Sequence, residues 1–522
     1  MRKQVVFIMT DTTRFDMLGC YGNPDMKTPN LDELAKESVK YERTYTCQPV
    51  CEPARSSIFT GLYPHSNGAF TNSVPLFTGV KTIGDYLKPA GIHSTYIGKW
   101  HLDGGDYFGN GICPKGYDPY YWYDMRCYLN ELTPEERKMS RQESTSLKKN
   151  GITEDFTFAH RCSNRALDFL EKYTGEDFFL TVSYDEPHQP YLCPEPYASL
   201  YKNYEMPKKP NIWDTLDGKP ELQKLWAGNN LFLDKDSLKI EPRLFFGCNS
   251  FVDYEIGRVL DAVKKFAPDA MVIYTSDHGE ALMAHSLSLK GPSVYEEITH
   301  VPLIIKGGAN WPSAAGTAYP SVTSHIDLVP TILDYYGLPI PSGMPGKSMR
   351  PIIYDQSRKS GNHPAKFREN VFIEFHRYEI DHDGFGGFQP MRAIVTDTNK
   401  LAIYLLDSTD ELYDTKQDPD EMKNLINESG YKKVRDSLHQ KILKFMNETR
   451  DPYRGYQWQR RTWNKDEVKP DWEVDGYTRQ KSNDINEGLP LDYDTGLPVS
   501  ALVRRKYKNR MPAGQIPPAE KK

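Results

Sequence analysis

The sequence predicts an α/β protein: a large mixed, mostly parallel sheet sandwiched by helices, followed by a smaller C-terminal α+β domain. Three observations carry this. Short β-branched runs alternate with amphipathic helical stretches through the first two thirds of the chain. Each run ends in polar, loop-like sequence, where open α/β sheets place their ligand sites. Beyond about Pro351 the spacing tightens into closely set strands and one long helix.

The expected strands of the large sheet are 5–9, 94–97, 178–184, 271–275 and 301–305, separated by helical patterns at 31–42, 156–173 and 251–266. In the second part, 371–375, 391–395, 400–405 and 411–413 read as a meander of short strands, and 431–450 as a helix. The expected boundaries are 1–365 for the α/β domain, 366–450 for the small antiparallel-sheet subdomain and 451–522 for an extension. That extension is rich in aromatics (Tyr453, Tyr456, Trp458, Trp463 and Trp472), which suits packing or self-association into a homo-oligomer better than a free polar tail.

At 522 residues the chain is too long for one simple core. Hydrophobic residues make up only 38%, but 34 Tyr and 22 Phe supply core material. A net charge of −6 provides no basic field for nucleic acid or an anionic membrane surface. No apolar run of about 18 residues is present, so no membrane span is expected. The eight cysteines lie scattered in the first half without metal-type pairing, which suits reduced thiols. With no signal-peptide pattern before the first strand, a cytoplasmic location is expected; a trimmed sequence would leave it periplasmic or secreted.

The residues that carry chemistry cluster at the ends of expected strands. Asp11 follows the first and Asp277-His278-Gly279 follows the fourth. Two carboxylates at neighbouring strand ends repel unless a cation lies between them, which favours a divalent metal. Gly279 is expected to let the backbone approach that ion. Gly98-Lys99-Trp100-His101 follows the second strand, with Lys99 and His101 on one side of an extended segment. Pro187-His188-Gln189-Pro190 follows the third, and Leu289-Lys290-Gly291 lies before Tyr295-Glu296-Glu297. Cys51-Glu52-Pro53-Ala54-Arg55 opens a small-residue helix.

Cys-x-Pro-x-Arg, Gly-Lys-Trp-His, Pro-His-x-Pro and the two Asp segments together resemble the sulfatases over roughly residues 4–450. The segment 410–425, with Leu412-Tyr413-Asp414 and Asp418-Pro419, resembles that family's C-terminal domain motif. The resemblance implies an alkaline phosphatase-like fold and hydrolysis of sulfate monoesters, on a carbohydrate. It implies that a maturation enzyme converts Cys51 to formylglycine (3-oxoalanine). Asp11, Thr12, Cys51, Asp277 and His278 are then the metal set. Lys99, His188 and Lys290 bind the sulfate, and His188 or Lys290 assists the leaving oxygen. His101 handles protons, a role its near-neutral ordinary pKa suits, and Arg55 helps neutralise the anion and stabilises the nucleophile. The family default metal is Ca²⁺, with Mn²⁺ or Mg²⁺ as alternatives.

The chain departs from the common pattern. Thr12 stands where most sulfatases carry a second Asp, and His278 where many carry Asn. An Asp-x/Asp-His set resembles the choline-sulfatase and phosphonate monoester hydrolase branches, so hydrolysis of phosphonate monoesters or phosphodiesters is the close alternative. A non-catalytic anion-binding protein with unmodified Cys51 is a second. The Asp-Thr pair without an export signal resembles a set of cytoplasmic-type bacterial sulfatases. His376 and Arg377, in an aromatic and glycine-rich stretch running to 388, are the candidate saccharide contacts, with a structural loop of the second domain as the somewhat favoured alternative.

Overall fold

The computed structural model describes residues 2–148, 151–354, 366–378 and 388–464. Seven strands form the large sheet: β1 Gln4–Thr10, β2 Val39–Tyr45, β3 His93–Gly98, β4 Phe178–Ser183, β5 Met271–Ser276, β6 His300–Lys306 and β7 Thr317–Ser324. Their order is β3-β4-β1-β5-β6-β2-β7. Only β6 runs antiparallel to its neighbours, so the sheet is mixed and mostly parallel, as expected. A four-stranded antiparallel sheet follows, built from β8 Val371–Phe375, β9 Met391–Val395, β10 Asn399–Tyr404 and β11 Glu411–Asp414. This is the meander read from the sequence.

Side-chain alternation along β1 explains the two layers. Val6 and Ile8 point to one face, where α1 (Pro29–Lys36), α3 (Phe158–Lys172) and α4 (Arg243–Phe266) cover the sheet. Val5, Phe7 and Met9 point to the other, where α2 (Cys51–Thr60) and α5 (Leu328–Tyr336) lie. With every β1 residue buried, each face contributes about 1.5–3 kcal/mol per large apolar side chain. The last helix, α6 (Lys432–Glu448), packs against β9 and β10.

Three elements differ from expectation. The helix expected over 31–42 ends at Lys36, because Val39-Lys-Tyr-Glu-Arg-Thr-Tyr alternates and pairs with both β6 and β7 as β2. β7 carries Pro320, which argues against a strand; its place at the sheet edge leaves a missing amide unneeded there. α4 begins at Arg243 rather than 251. Gly247, which reads as a helix breaker, is required because a Cβ would lie 2.3 Å from the Tyr197 carbonyl oxygen.

The chain forms two compact units, Met1–Arg454 and Gly455–Lys522, and both sheets belong to the first. Of the second unit, residues 455–464 are described, with one short turn of helix at Tyr456–Trp458. Trp472 and the remainder of the extension lie outside the described residues, as does the stretch 379–387. Among the described residues no helix is long and apolar enough to cross a membrane.

At Gly98 the backbone takes φ +119° where β3 meets β4, and a Cβ there would lie 1.9 Å from the Ser183 carbonyl oxygen. Gly98→Ala is therefore expected to cost more than about 2 kcal/mol, through backbone strain and the displaced β4 end. Urea denaturation measures this; an unchanged midpoint would contradict the close approach.

Candidate functional site

The parallel register aligns four strand ends. Met9 lies opposite Ser183, Thr10 opposite Ser276, and Gly98 opposite Ser183. The next residues of three of them, Asp11, Lys99 and Asp277, and Asp185 two places beyond Ser183, therefore emerge along one edge. α2 begins at that edge with Cys51, and its ten residues are all buried. Pro53 is tolerated in its first turn, and Gly61 in the left-handed region ends it. The positive end of the helix faces the strand ends and favours negative charge at residue 51.

Arg55, one turn into α2, clamps this edge together. Its Nε lies 3.0 Å from Asp277 Oδ2, and one terminal nitrogen 3.0 Å from Asp11 Oδ2. The other donates to the Lys99 carbonyl at 2.7 Å and to Ser183 Oγ at 2.8 Å. All four groups are sealed from solvent. The anion-neutralising role expected for Arg55 is thus corrected: its guanidinium is engaged by protein acceptors, and it orients the carboxylates. Lys99 Nζ reaches Asp11 Oδ2 at 2.7 Å and Asp185 Oδ1 at 3.0 Å. Burial opposes the charge on Lys99, but these carboxylates hold its pKa above the ordinary value. Burial likewise opposes ionisation of Asp11, yet Lys99, His188, Arg55 and Lys290 hold it well below the usual carboxylate range.

One oxygen of each aspartate turns the other way, into a cluster with Cys51 and His278 whose ligand atoms lie within 4.8 Å of one another. His278 Nδ1 lies 2.9 Å from the Gly279 carbonyl and donates to it. Its Nε2 lone pair is thereby directed to Cys51 Sγ at 3.2 Å, with Asp11 Oδ1 at 3.8 Å and Asp277 Oδ1 at 3.7 Å. A ring tautomer fixed by a backbone acceptor is the arrangement that metal-binding histidines require. Burial and Asp11 raise Asp277 to about 7 despite His278 and Arg55, and a divalent cation between the carboxylates would remove that penalty. The donor set therefore fits a divalent ion. Thr12, at φ +71°, donates its hydroxyl to Asp11 Oδ1 at 2.6 Å and its amide to Asp277 Oδ1 at 3.1 Å. It supports both carboxylates where a second aspartate would add charge. Gly279 has a different reason from the one expected: a Cβ would lie 2.1 Å from the Glu297 carbonyl oxygen, so the close approach is to backbone rather than to an ion.

Facing this cluster are the remaining expected residues. Lys290 is buried, and its Nζ lies 3.1 Å from His188 Nε2. Burial lowers its pKa, but Cys51, Tyr378 and Asp11 together hold it well above the ordinary lysine value. Burial and Asp11 push the Cys51 thiol up, yet Lys290, Lys99 and His188 bring it down to about 7. By contrast, Cys47, buried without such cations, is pushed up to about 12. His101 is buried with φ +56°, so Lys99 and His101 do not form a simple extended pair. Burial, Lys99 and Arg55 drive its pKa well below 6.5, which corrects the expectation of near-neutral titration.

One expected residue is enclosed away from the cluster, and two unexpected ones join it. His376 is fully buried, with Nδ1 3.2 Å from Gln48 Oε1 and Nε2 2.8 Å from the Arg392 guanidinium, so it contacts no saccharide. Arg377 follows it on the loop, half-buried. Asp185 binds Lys99, and Tyr107 bonds both Asp185 and His188. Asp185 lies two residues before Pro187-His188 and was legible by proximity. Tyr107, in a glycine-rich loop, carries no sequence signal.

Comparison with known proteins finds relatives over most of the chain. Residues 3–338 match the family model described as "Sulfatase", and residues 291–448 the model "N-sulphoglucosamine sulphohydrolase, C-terminal". The chain is 42% identical over 516 residues to "Uncharacterized sulfatase YidJ" of Escherichia coli (strain K12), covering 98% of this chain and 99% of that one. It is 25% identical to an N-acetylglucosamine-6-O-sulfatase of Bacteroides thetaiotaomicron, with 87% of each covered. Among solved structures, a phosphonate monoester hydrolase of Agrobacterium radiobacter matches with TM-score 0.70 at 22% identity, covering 86% of this chain and 96% of that one. A structure in complex with its substrate D-glucosamine-2-N,6-O-disulfate matches with TM-score 0.69 at 22% identity, covering 87% and 99%. These two structural likenesses establish the fold.

Arg55→Ala would leave buried Asp277 without its arginine and Asp11 with Lys99 alone, and metal-free protein carrying it is expected to lose about 3–5 kcal/mol of stability in urea denaturation. A loss below about 1 kcal/mol would remove Arg55 as the clamp of the strand ends.

Proposed function

The chain belongs to the sulfatase family of sulfuric ester hydrolases, and we propose that it hydrolyses sulfate monoesters carried on a saccharide, using formylglycine made from Cys51 by a maturation enzyme and one divalent cation. The observation that carries this reading is the place of Cys51: at a helix N-terminus, 3.2 Å from a metal-ready His278 nitrogen, in the field of Lys99 and Lys290. The saccharide follows from the named activity of the N-acetylglucosamine-6-O-sulfatase relative. Asp11, Asp277 and His278 would hold the cation beside residue 51. Ca²⁺ suits the two carboxylates, while the imidazole of His278 shifts the preference towards Mn²⁺.

The division of labour follows from charge. A bound cation would supply Lewis acidity beside residue 51. Oxidised by the maturation enzyme and hydrated, residue 51 would offer two hydroxyls on one carbon, one as the nucleophile for sulfur and one whose deprotonation would expel sulfate and restore the aldehyde. Lys99 and Lys290, both cationic and buried, bind the remaining sulfate oxygens. His101, held neutral, is able to accept a proton from residue 51. His188 and Lys290, in mutual contact on the side facing Cys51, deliver a proton to the leaving alcohol.

Cys51→Ala is expected to abolish turnover while leaving the thermal unfolding midpoint within a few degrees of wild type. Ordinary hydrolysis by that variant would end the mechanism. Peptide mass spectrometry of residue 51 checks the modification independently.

A phosphonate or phosphodiester reading shares the site and is favoured by one observation, the single-aspartate Asp11-Thr12 pair combined with His278 in the donor cluster. For a sulfate and a phosphonate ester of the same alcohol, kcat/KM is expected to favour the sulfate by at least about tenfold, or about 1.4 kcal/mol. The opposite order would transfer the assignment to phosphonate esters.

A further inference from the structure

Tyr107 joins three parts of the site that the sequence motifs supply separately. Its hydroxyl contacts Asp185 Oδ1 and lies 3.0 Å from His188 Nδ1. Lys99 Nζ sits 3.9 Å from the centroid of its ring and 3.0 Å from Asp185 Oδ1. The tyrosine and histidine rings are tilted at 37° with centroids 5.0 Å apart.

The hydrogen-bond directions in this chain are determined by chemistry. The Gln189 carbonyl, 2.9 Å from His188 Nδ1, only accepts, so Nδ1 carries a hydrogen. The ammonium of Lys99 keeps Asp185 a carboxylate, which also only accepts. The Tyr107 hydroxyl therefore donates to Asp185 and offers its lone pairs to His188 Nδ1–H. The consequence falls on the far side of the ring: His188 Nε2, 3.1 Å from Lys290 Nζ, keeps its lone pair and accepts from the Lys290 ammonium. Gln189 decides which nitrogen holds the resting proton, and Tyr107, anchored on Asp185, decides where the ring points.

We propose that Tyr107, braced by Asp185, is a positioning residue that fixes the His188 ring so that Nε2, accepting from the Lys290 ammonium, aims a second Lys290 N–H at the leaving oxygen and its proton reaches the departing alcohol. The step balances simply: the S–O bond to the alcohol breaks, its electron pair stays on oxygen, and the proton from Lys290 neutralises it. This inference rests on the sulfatase reading above.

Protonation matters most when the departing alkoxide is strongly basic, and little for a nitrophenolate. Tyr107→Phe keeps the ring under Lys99 and removes only the hydroxyl. In the full-length, formylglycine-bearing enzyme, kcat/KM is expected to fall about 10²-fold for sulfate esters of poor leaving groups such as sugar alcohols. For 4-nitrophenyl sulfate the loss is expected to stay within about threefold, so the dependence of rate on leaving-group pKa steepens. In a His188→Ala background, Tyr107→Phe is expected to have no further effect. A loss of equal size across the series, or additive effects in the double variant, would show a merely structural tyrosine and overturn the proposal. A wild type inactive on every sulfate ester overturns the functional reading and this inference with it. An active wild type whose leaving-group dependence is unchanged by Tyr107→Phe overturns the positioning role alone.

Discussion

Parallel pairing of β1 with β5 forces two carboxylates together. With Thr10 opposite Ser276, Asp11 and Asp277 have no freedom to separate, and both are sealed from water. Unpaired, such charges are among the most costly features a protein interior can hold. The site answers this constraint on two sides. Arg55 takes one oxygen of each aspartate, and the opposite oxygens converge with His278 and Cys51 on a cation-sized space. Helix α2 is thereby tied to the sheet by the same residue pattern that brings Cys51 to the strand ends.

The surrounding electrostatics follow from that arrangement. Lys99 and Lys290 remain cationic in spite of burial because anionic groups face them. The same cations, with burial, leave His101 a neutral base. The centre therefore suits an anionic tetrahedral group: positive charge is fixed in place beforehand and needs little solvent reorganisation when an anion binds. On the proposed reading, His188, Lys290 and Tyr107 serve the leaving side.

Most motif residues lie on short, rigid connections directly after strands, which is why they were legible. The dense apolar runs of β1, β4 and β5 mark buried strands, and the polar residue after each is presented at the sheet edge by register alone. Elements whose local pattern competes with their tertiary role were misread. β2 looks like the continuation of a helix until β6 and β7 pair with it, and β7 contains a proline that only an edge strand accepts. α4 starts at Arg243, eight residues before its expected beginning, with Gly247 letting the Tyr197 backbone pass close by.

The amino-acid sequence alone determined the strand–helix alternation, the family resemblance and the set Asp11, Cys51, Lys99, His101, His188, Asp277, His278 and Lys290, because residue type and strand-end position are both written locally. Tertiary structure decided what those residues bond to. Arg55 is spent on carboxylates, His376 is enclosed by Gln48 and Arg392, and Gly279 serves a backbone contact with Glu297. Tyr107 enters the site only through the fold. Hydrogen-bond partners and burial depend on segments far apart in the chain, and no local spacing encodes them.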